Sequence, residues 1–250
     1  MSPISIVGAG PGALDLMTIR AQDRLKKADV LVWTDSLIPI QITNLVKSDC
    51  KKIKTSSLTL EEIILVLIEN HNKGKNVVRL HDGDPCLYGA LSEQICRLND
   101  EGIEVEIIPG VSAYQATAAT LGFELTVPNL TQTIILSRAD GRTGKPEKES
   151  LHKLASIQSS LCLYLSARHV EEVQSILINY YPADTPVAIA HRITWQDEWV
   201  KVIPLSEIAK TSRERKLIRT TLYIISPTLK IGKNRSKLYD PKHSHLFRTS

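Results

Sequence analysis

ISIVGAGPGA, Ile4 to Ala13, is an apolar run that breaks into three glycines and a proline within five residues. Two later stretches follow the same plan: VVRLHDGDPCLYG, Val77 to Gly89, and VEIIPGVSA, Val105 to Ala113. Glycine lets a backbone approach a ligand closely and take positive φ, while proline fixes φ and withholds an N–H. Three such turns at the ends of apolar runs describe a wall made largely of main chain, suited to a small polar cofactor.

Around these loops the pattern alternates strand and helix. Ile4 to Val7, Val30 to Trp33, Val77 to Leu80 and Val105 to Ile108 read as strands. Helices are expected from Thr18, as N-cap, to about Lys27 with Ile19 and Leu25 inward, from Ala90 to Asn99, and from Ala113 to Leu121. Thr59 and Glu62 have capping-box spacing before an apolar run of helical period, and Gly74 is a natural stop. Pro128 and Asn129 break the rhythm, which places a domain boundary near residue 126. Beyond it, strands are expected at Thr133 to Leu136, Leu161 to Leu165, Val187 to Ala190, Trp199 to Ile203 and Leu222 to Ile225, with helices at Leu151 to Ile157 and Val170 to Asn179. The expectation is a pair of α/β domains, 1–125 and 126–229, with a cofactor cleft between them, and a tail over 230–250.

The formal charge of +4 comes from that tail. Lys230 to Ser250 carries six Lys/Arg and one Asp, which leaves a net of −1 for the rest. The body therefore offers no nucleic-acid footprint, and a polar basic tail of this kind reads as solvated, flexible chain. The longest apolar run, Ile63 to Ile68, is far below the roughly 20 residues that cross a bilayer. Met1 leads straight into a strand without a basic-then-apolar leader. Four scattered cysteines, Cys50, Cys86, Cys96 and Cys162, lack metal or disulfide spacing and suit a reducing cytoplasm.

Gly8, Gly10 and Ala13 also satisfy the dinucleotide fingerprint G-x-G-x-x-G/A, and Asp35 follows the second strand. In a Rossmann fold, however, the helix opens inside the glycine motif so that its free N–H groups meet a pyrophosphate. Here Pro11 removes one donor and the helical period begins only near Thr18. That reading, which would make the protein a flavin- or NAD-dependent oxidoreductase, also leaves the second and third loops without a role.

The ordered trio GAGPG, HDGDP and PGVSA resembles the tetrapyrrole methylases, over about Ile4 to Ile225. SLTLEEI (Ser57 to Ile63), VVRLHDGDPCLYGALSEQ (Val77 to Gln94), QTIILSRADGRT (Gln132 to Thr143), YLSARHVEEV (Tyr164 to Val173) and RITWQDE (Arg192 to Glu198) are similar to the corrin branch. Siroheme-type members carry GDPFIFGRGGEE instead of GDPCLYGALSEQ. Departures from the usual wording are Ala13 for GPGDP, Asp82 for HTGDP and Gln196 for WPDE. The resemblance implies S-adenosylmethionine as cofactor and methyl transfer to C11 of precorrin-4, with or without cobalt; a methylase acting at another ring position is the alternative within the family. It implies cofactor contacts from Pro11, Asp82, Gly83, Asp84, Leu87, Ser112, Ala113, Leu165 and Ile193, no metal site, and a homodimer.

A sulfonium methyl is already electrophilic, so the protein's task is alignment, worth roughly 7 to 11 kcal/mol in favourable cases. Loss of a proton from the methylated ring calls for a base, for which Glu93 is the first candidate, with Asp84 and Asp140 behind it. Asp84 equally suits an Asx turn that closes its loop, and Glu93 a favourable place in the first turn of a helix. Precorrin carboxylates call for cations, and Arg138 and Arg142 lie where the family wording matches; their plain alternative is a solvated loop. His81, His169 and His191 read as structural hydrogen-bonding groups, and Tyr88 and Tyr114 as packed or stacking rings.

Overall fold

The structure, a computed structural model, describes residues 2–140 and 144–230. The chain sorts into two compact units. One comprises the chain up to Ala116 together with Arg192–Asp197; the other comprises Thr117–His191 and the chain from Glu198 onward.

The first unit is built on β1 (Ile4–Gly8), α1 (Ile19–Lys27), β2 (Val30–Trp33), β3 (Lys51–Lys54), α2 (Leu60–Asn72), β4 (Val77–His81), α3 (Leu91–Asp100) and β5 (Val105–Ile108), with α4 (Ala113–Leu121) following. Its sheet is parallel throughout, in the order β3-β2-β4-β1-β5. A parallel sheet is covered on both faces, and the strand residues alternate accordingly. Val7, Leu31, Trp33, Val78 and Leu80 share one cluster with Ala21 and Leu25 of α1. Ile4, Val30, Val32 and Val77 share the other with Ile63, Ile64 and Leu67 of α2 and Leu98 of α3. Because β1 lies between β4 and β5, the three glycine-bearing loops leave the carboxyl ends of three neighbouring strands, where open α/β sheets hold ligands.

The second unit contains β6 (Ile134–Arg138), α5 (Leu151–Ala155), β7 (Ser160–Tyr164), α6 (Val170–Leu177), β8 (Pro186–His191), β9 (Trp199–Pro204), α7 (Ile208–Glu214) and β10 (Thr221–Ile225). Its sheet runs β6-β7-β10-β8-β9, with β6 and β7 parallel and the other pairs antiparallel. Leu161, Leu163, Val187, Ile189, Tyr223 and Ile225 pack with Val173 and Leu177 of α6 in a single core. The Tyr223 hydroxyl reaches Ser212 Oγ at 2.8 Å, which satisfies the one polar atom of this fully buried ring.

Local details follow the residues. Thr59 Oγ1 accepts the Glu62 N–H and the Glu62 carboxylate accepts the Thr59 N–H, so the expected capping box is closed at α2. Thr59→Ala is expected to lower stability by about 1 kcal/mol, read from urea unfolding. Thr18 caps α1 as expected, but Ile19 does not face inward. It is 88% exposed, because Ala21 and Leu25, one turn apart, set the buried stripe and Ile19 lies about 200° of helix rotation from Ala21. The third helix begins at Leu91, one residue later than expected, since Ala90 takes a left-handed conformation at φ 49°. Strand β3 and helix α7 were not expected. KKIK carries one apolar residue on an edge strand, and α7 buries only Ile208 and Ser212, so neither shows a period. Among the described residues no helix is long and apolar enough to cross a membrane. The tail beyond Lys230 lies outside the described residues.

Candidate active site

In the first unit the three loops interlock through their backbones. The Ala9 N–H donates to His81 O at 2.7 Å, and Gly10 and Gly83 exchange N–H···O bonds of 3.2 and 2.9 Å. Gly8, Gly83 and Gly110 meet so closely that a methyl group on Gly110 would lie 2.1 Å from the Gly83 carbonyl oxygen, and one on Gly8 would lie 2.6 Å from the Gly110 nitrogen. Asp84 ties the second loop to the third. Its Oδ1 accepts the Cys86 N–H at 2.8 Å, which closes the expected Asx turn, and its Oδ2 accepts the Gly110 N–H at 2.9 Å. The carboxylate that sequence reasoning lists among cofactor contacts and possible bases is thus committed to holding two loops together.

The segment Arg192–Asp197, although it follows β8, belongs to the first unit. Thr194 Oγ1 accepts the Ala13 N–H at 2.9 Å, and the Trp195 indole N–H donates to Pro11 O at 3.0 Å. Ala9, Gly10 and Ala13 spend their N–H groups inside the protein, and Pro11 has none. The chain next makes a short 3-10 turn at Leu14–Leu16, and α1 starts only at Ile19. No helix N-terminus opens at the glycines to meet a pyrophosphate.

Beneath the second loop, β4 turns Arg79 and His81 toward α3. Arg79 is 5% exposed, and its guanidinium reaches Val32 O and Leu80 O at 3.3 Å and Gln94 Oε1 at 3.4 Å, all neutral acceptors. Burial lowers its pKa to about 10, with the Asp82 charge opposing that shift. His81, also 5% exposed, is pushed down to about 3, first by burial and then by Arg79, so it is neutral at physiological pH. That is the structural role expected of it. Asp82 keeps contact with solvent, yet the protein crowded around it desolvates its carboxyl and holds the pKa above the ordinary aspartate range; its own backbone N–H and Arg79 act against the rise.

The other sequence-derived residues fall as follows. Leu87 donates its N–H to Asp84 O at 3.1 Å, and Ser112 is buried with its N–H on Gln115 Oε1 at 2.9 Å. Ala113 opens α4, and Ile193 is buried. Leu165, in the second unit, is 67% exposed in a left-handed conformation at φ 51°, an unusual place for a large apolar side chain. Tyr88, Ala90, Arg192 and Thr194 are also non-glycine residues of positive φ, so the loop segments singled out by sequence hold five of the nine such positions among the described residues. Strain of this kind concentrates at ligand sites, at a cost on the order of 1–3 kcal/mol each.

Glu93 lies in the first turn of α3, exposed, with its carboxylate 3.0 Å from Arg97 four residues on. Arg138, at the end of β6, bends back on its own loop and donates to Ala139 O and Gly144 O. Arg142 lies outside the described residues. Lys145 is a buried loop anchor whose ammonium contacts Ser137 Oγ at 3.0 Å, Arg138 O at 3.1 Å and Asp140 Oδ1 at 3.4 Å. Sequence reasoning missed Arg79 and Gln94, which sit within the matched second motif, and Thr194 and Trp195, whose neighbour Ile193 it selected. Desolvation and Asp84 hold the Cys86 thiol above its ordinary range. No cluster of His, Cys, Asp or Glu able to hold a metal occurs among the described residues.

A parallel α/β unit with a three-loop main-chain floor, together with a second α/β unit with a mixed sheet, defines a two-unit α/β protein distinct from the Rossmann class. The profile of the Tetrapyrrole (Corrin/Porphyrin) Methylases matches residues 3–209, and the chain belongs to this family. It is 40% identical over 249 residues to a cobalt-precorrin-4 C(11)-methyltransferase of Methanocaldococcus jannaschii, covering 99% of this chain and 96% of that protein. It is 39% identical over 246 residues to a precorrin-4 C(11)-methyltransferase of Pseudomonas aeruginosa, covering 98% of each. A solved structure of a cobalamin biosynthetic enzyme, cobalt precorrin-4 methyltransferase, superposes with a TM-score of 0.87 at 37% identity, covering 90% of this chain and 95% of that one.

Proposed function

We propose that this chain transfers a methyl group from S-adenosylmethionine to C11 of precorrin-4 or its cobalt form, in cobalamin biosynthesis, as a cytoplasmic homodimer. The observation that carries the reading is the floor formed by three loops at adjacent strand ends, where Gly8 and Gly110 have no room for side chains against each other and the Gly83 carbonyl. A backbone cradle of that kind fits a small polar cofactor, and the likeness to the precorrin-4 enzymes supports the substrate.

Bound S-adenosylmethionine supplies a sulfonium methyl that needs no protein nucleophile. By the family likeness, Pro11, Gly83, Leu87, Ser112, Ala113 and Ile193 of the first unit would contact it, with Asp82 as the nearby carboxylate, and the same likeness carries over Leu165, an exposed apolar residue of the second unit, as a contact for adenine. Asp84 serves by fixing the Gly110 N–H and hence the third loop. Arg138 exchanges the loop carbonyls for a substrate carboxylate, because charge-assisted bonds are about twice as strong as neutral ones. Arg142 has the same role, and Glu93 accepts the proton released at the ring.

Calorimetric titration with S-adenosylhomocysteine, with FAD and NAD in parallel, tests the cofactor. One-per-chain binding of S-adenosylhomocysteine alone is expected; binding of a dinucleotide alone would sink the reading. An assay on precorrin-4 and cobalt-precorrin-4 then tests the acceptor. Arg138→Ala and Arg142→Ala are each expected to raise the KM for the tetrapyrrole about tenfold, the effect of one charge-assisted contact, with unchanged S-adenosylhomocysteine affinity.

A further inference from the structure

The first loop is held from a distance. Ala13 and Thr194 are 181 residues apart and Pro11 and Trp195 are 184 apart, yet two hydrogen bonds of 2.9 and 3.0 Å join them. Between those bonds lies Gly12, where a methyl group would fall 2.4 Å from Trp195 Cδ1 and 3.1 Å from Thr194 Oγ1. The indole therefore lies against the bare backbone of the loop. Arg192 covers its ring, with the guanidinium 5.0 Å from the ring centroid, and is itself paired with Asp197. The brace is a built object with its own support.

Its backbone conformation adds a second observation. Thr194 has φ 65°, a region that a β-branched residue enters only against steric resistance. Glycine or asparagine would adopt it more easily. What threonine adds there is the hydroxyl that accepts the Ala13 N–H. Two flanking bonds and a flat ring fix the Pro11 carbonyl and the Ala13 amide, and leave the loop one path past Gly10, which is already tied to Gly83.

We propose that Thr194 and Trp195 are positioning residues for the methyl-donor site: they hold the first loop in its ligand-binding shape without touching the reacting atoms. This rests on the cofactor reading above. Trp195→Phe keeps a ring against Gly12 and removes the N–H to Pro11, and Thr194→Val keeps the branched shape and removes the acceptor. Each is expected to weaken S-adenosylhomocysteine binding about tenfold by calorimetry, the size of one lost partly buried hydrogen bond. Each should raise the KM for S-adenosylmethionine while the KM for the tetrapyrrole stays within twofold. Thr194→Ser, which restores the acceptor, should recover wild-type affinity, and Trp199→Phe, on β9 with its ring against Arg215, should leave it unchanged. If Trp195→Phe does not fold, the Thr194→Val and Thr194→Ser pair carries the test.

Wild-type affinity in both Trp195→Phe and Thr194→Val, or equal losses for both substrates without rescue by serine, overturns the proposal. Failure of the wild-type protein to bind S-adenosylhomocysteine overturns the cofactor reading instead, so the two failures are distinguishable.

Discussion

Gly110→Ala is expected to reduce S-adenosylhomocysteine binding by at least a hundredfold and to lower the melting temperature by several degrees. The added methyl group would meet the Gly83 carbonyl oxygen at 2.1 Å and Gly8 Cα at 3.0 Å. Both neighbours are backbone and cannot rotate away. Gly8 ends β1, in register with His81 of β4, and Gly83 is bonded to Gly10, so relief requires three loops to move together. Overpacking costs typically about 1–3 kcal/mol, and for a chain of this size each kcal/mol is worth about 2–4 °C. The larger effect falls on binding, because the displaced atoms are the floor itself. Gly74→Ala supplies the control. Gly74, unlike Gly110, has positive φ, at 71°, but no atom lies within 4 Å of the added methyl group. It should cost about 1 kcal/mol of backbone strain with S-adenosylhomocysteine affinity intact. Equal loss of affinity in both variants would show that the loops are not sterically interlocked.

The way those loops come together explains what the sequence could and could not disclose. Local signals were legible: the capping box at Thr59, the Thr18 cap, and every glycine-bearing turn are written in contiguous residues. Strand order is not. Nothing in Ile4 to Gly8 states that β1 will lie between β4 and β5, so the trio could be recognised as a set before its adjacency was visible. Resemblance carried the family and fold, which the comparisons establish. Side-chain commitments were the least legible, because a letter does not say which partner wins. Asp84 spends both oxygens on backbone N–H groups, and Arg138 spends its donors on carbonyls of its own loop. Trp195 escaped notice because its partner is a main-chain oxygen 184 residues away.

The same difficulty hid the polar cluster under the second loop, and that cluster makes the protein acid-sensitive in a defined window. His81 lies beside Gln94, whose Nε2 is 3.5 Å from His81 Nε2 and also donates to Gly89 O at 3.0 Å. The same amide also donates to Ala90 O at 3.3 Å, and its contact with the ring favours the protonated form, so burial first and the Arg79 charge second are what hold His81 neutral. Protonation would place a charge out of water and in the field of the Arg79 cation. The folded-state pKa of about 3 lies below the ordinary value of 6.5, so the unfolded chain takes up this proton first as pH falls. Stability from His81 is complete above about pH 6.5 and is lost progressively as the pH drops toward 3. At pH 5 the loss amounts to about 2 kcal/mol. Asp29, Asp35 and Glu106, whose carboxyls are held below their ordinary values, act only at lower pH. Asp82, pushed upward, works in the opposite sense, and comparison with a His81→Asn variant removes its contribution. Urea unfolding at pH 7 and pH 5 is therefore expected to show a pH-dependent loss in the wild type that is smaller in His81→Asn by about 2 kcal/mol. The same pH dependence in both proteins would mean that His81 accepts a proton in the folded state as readily as in water, and that burial beside Arg79 does not hold it neutral.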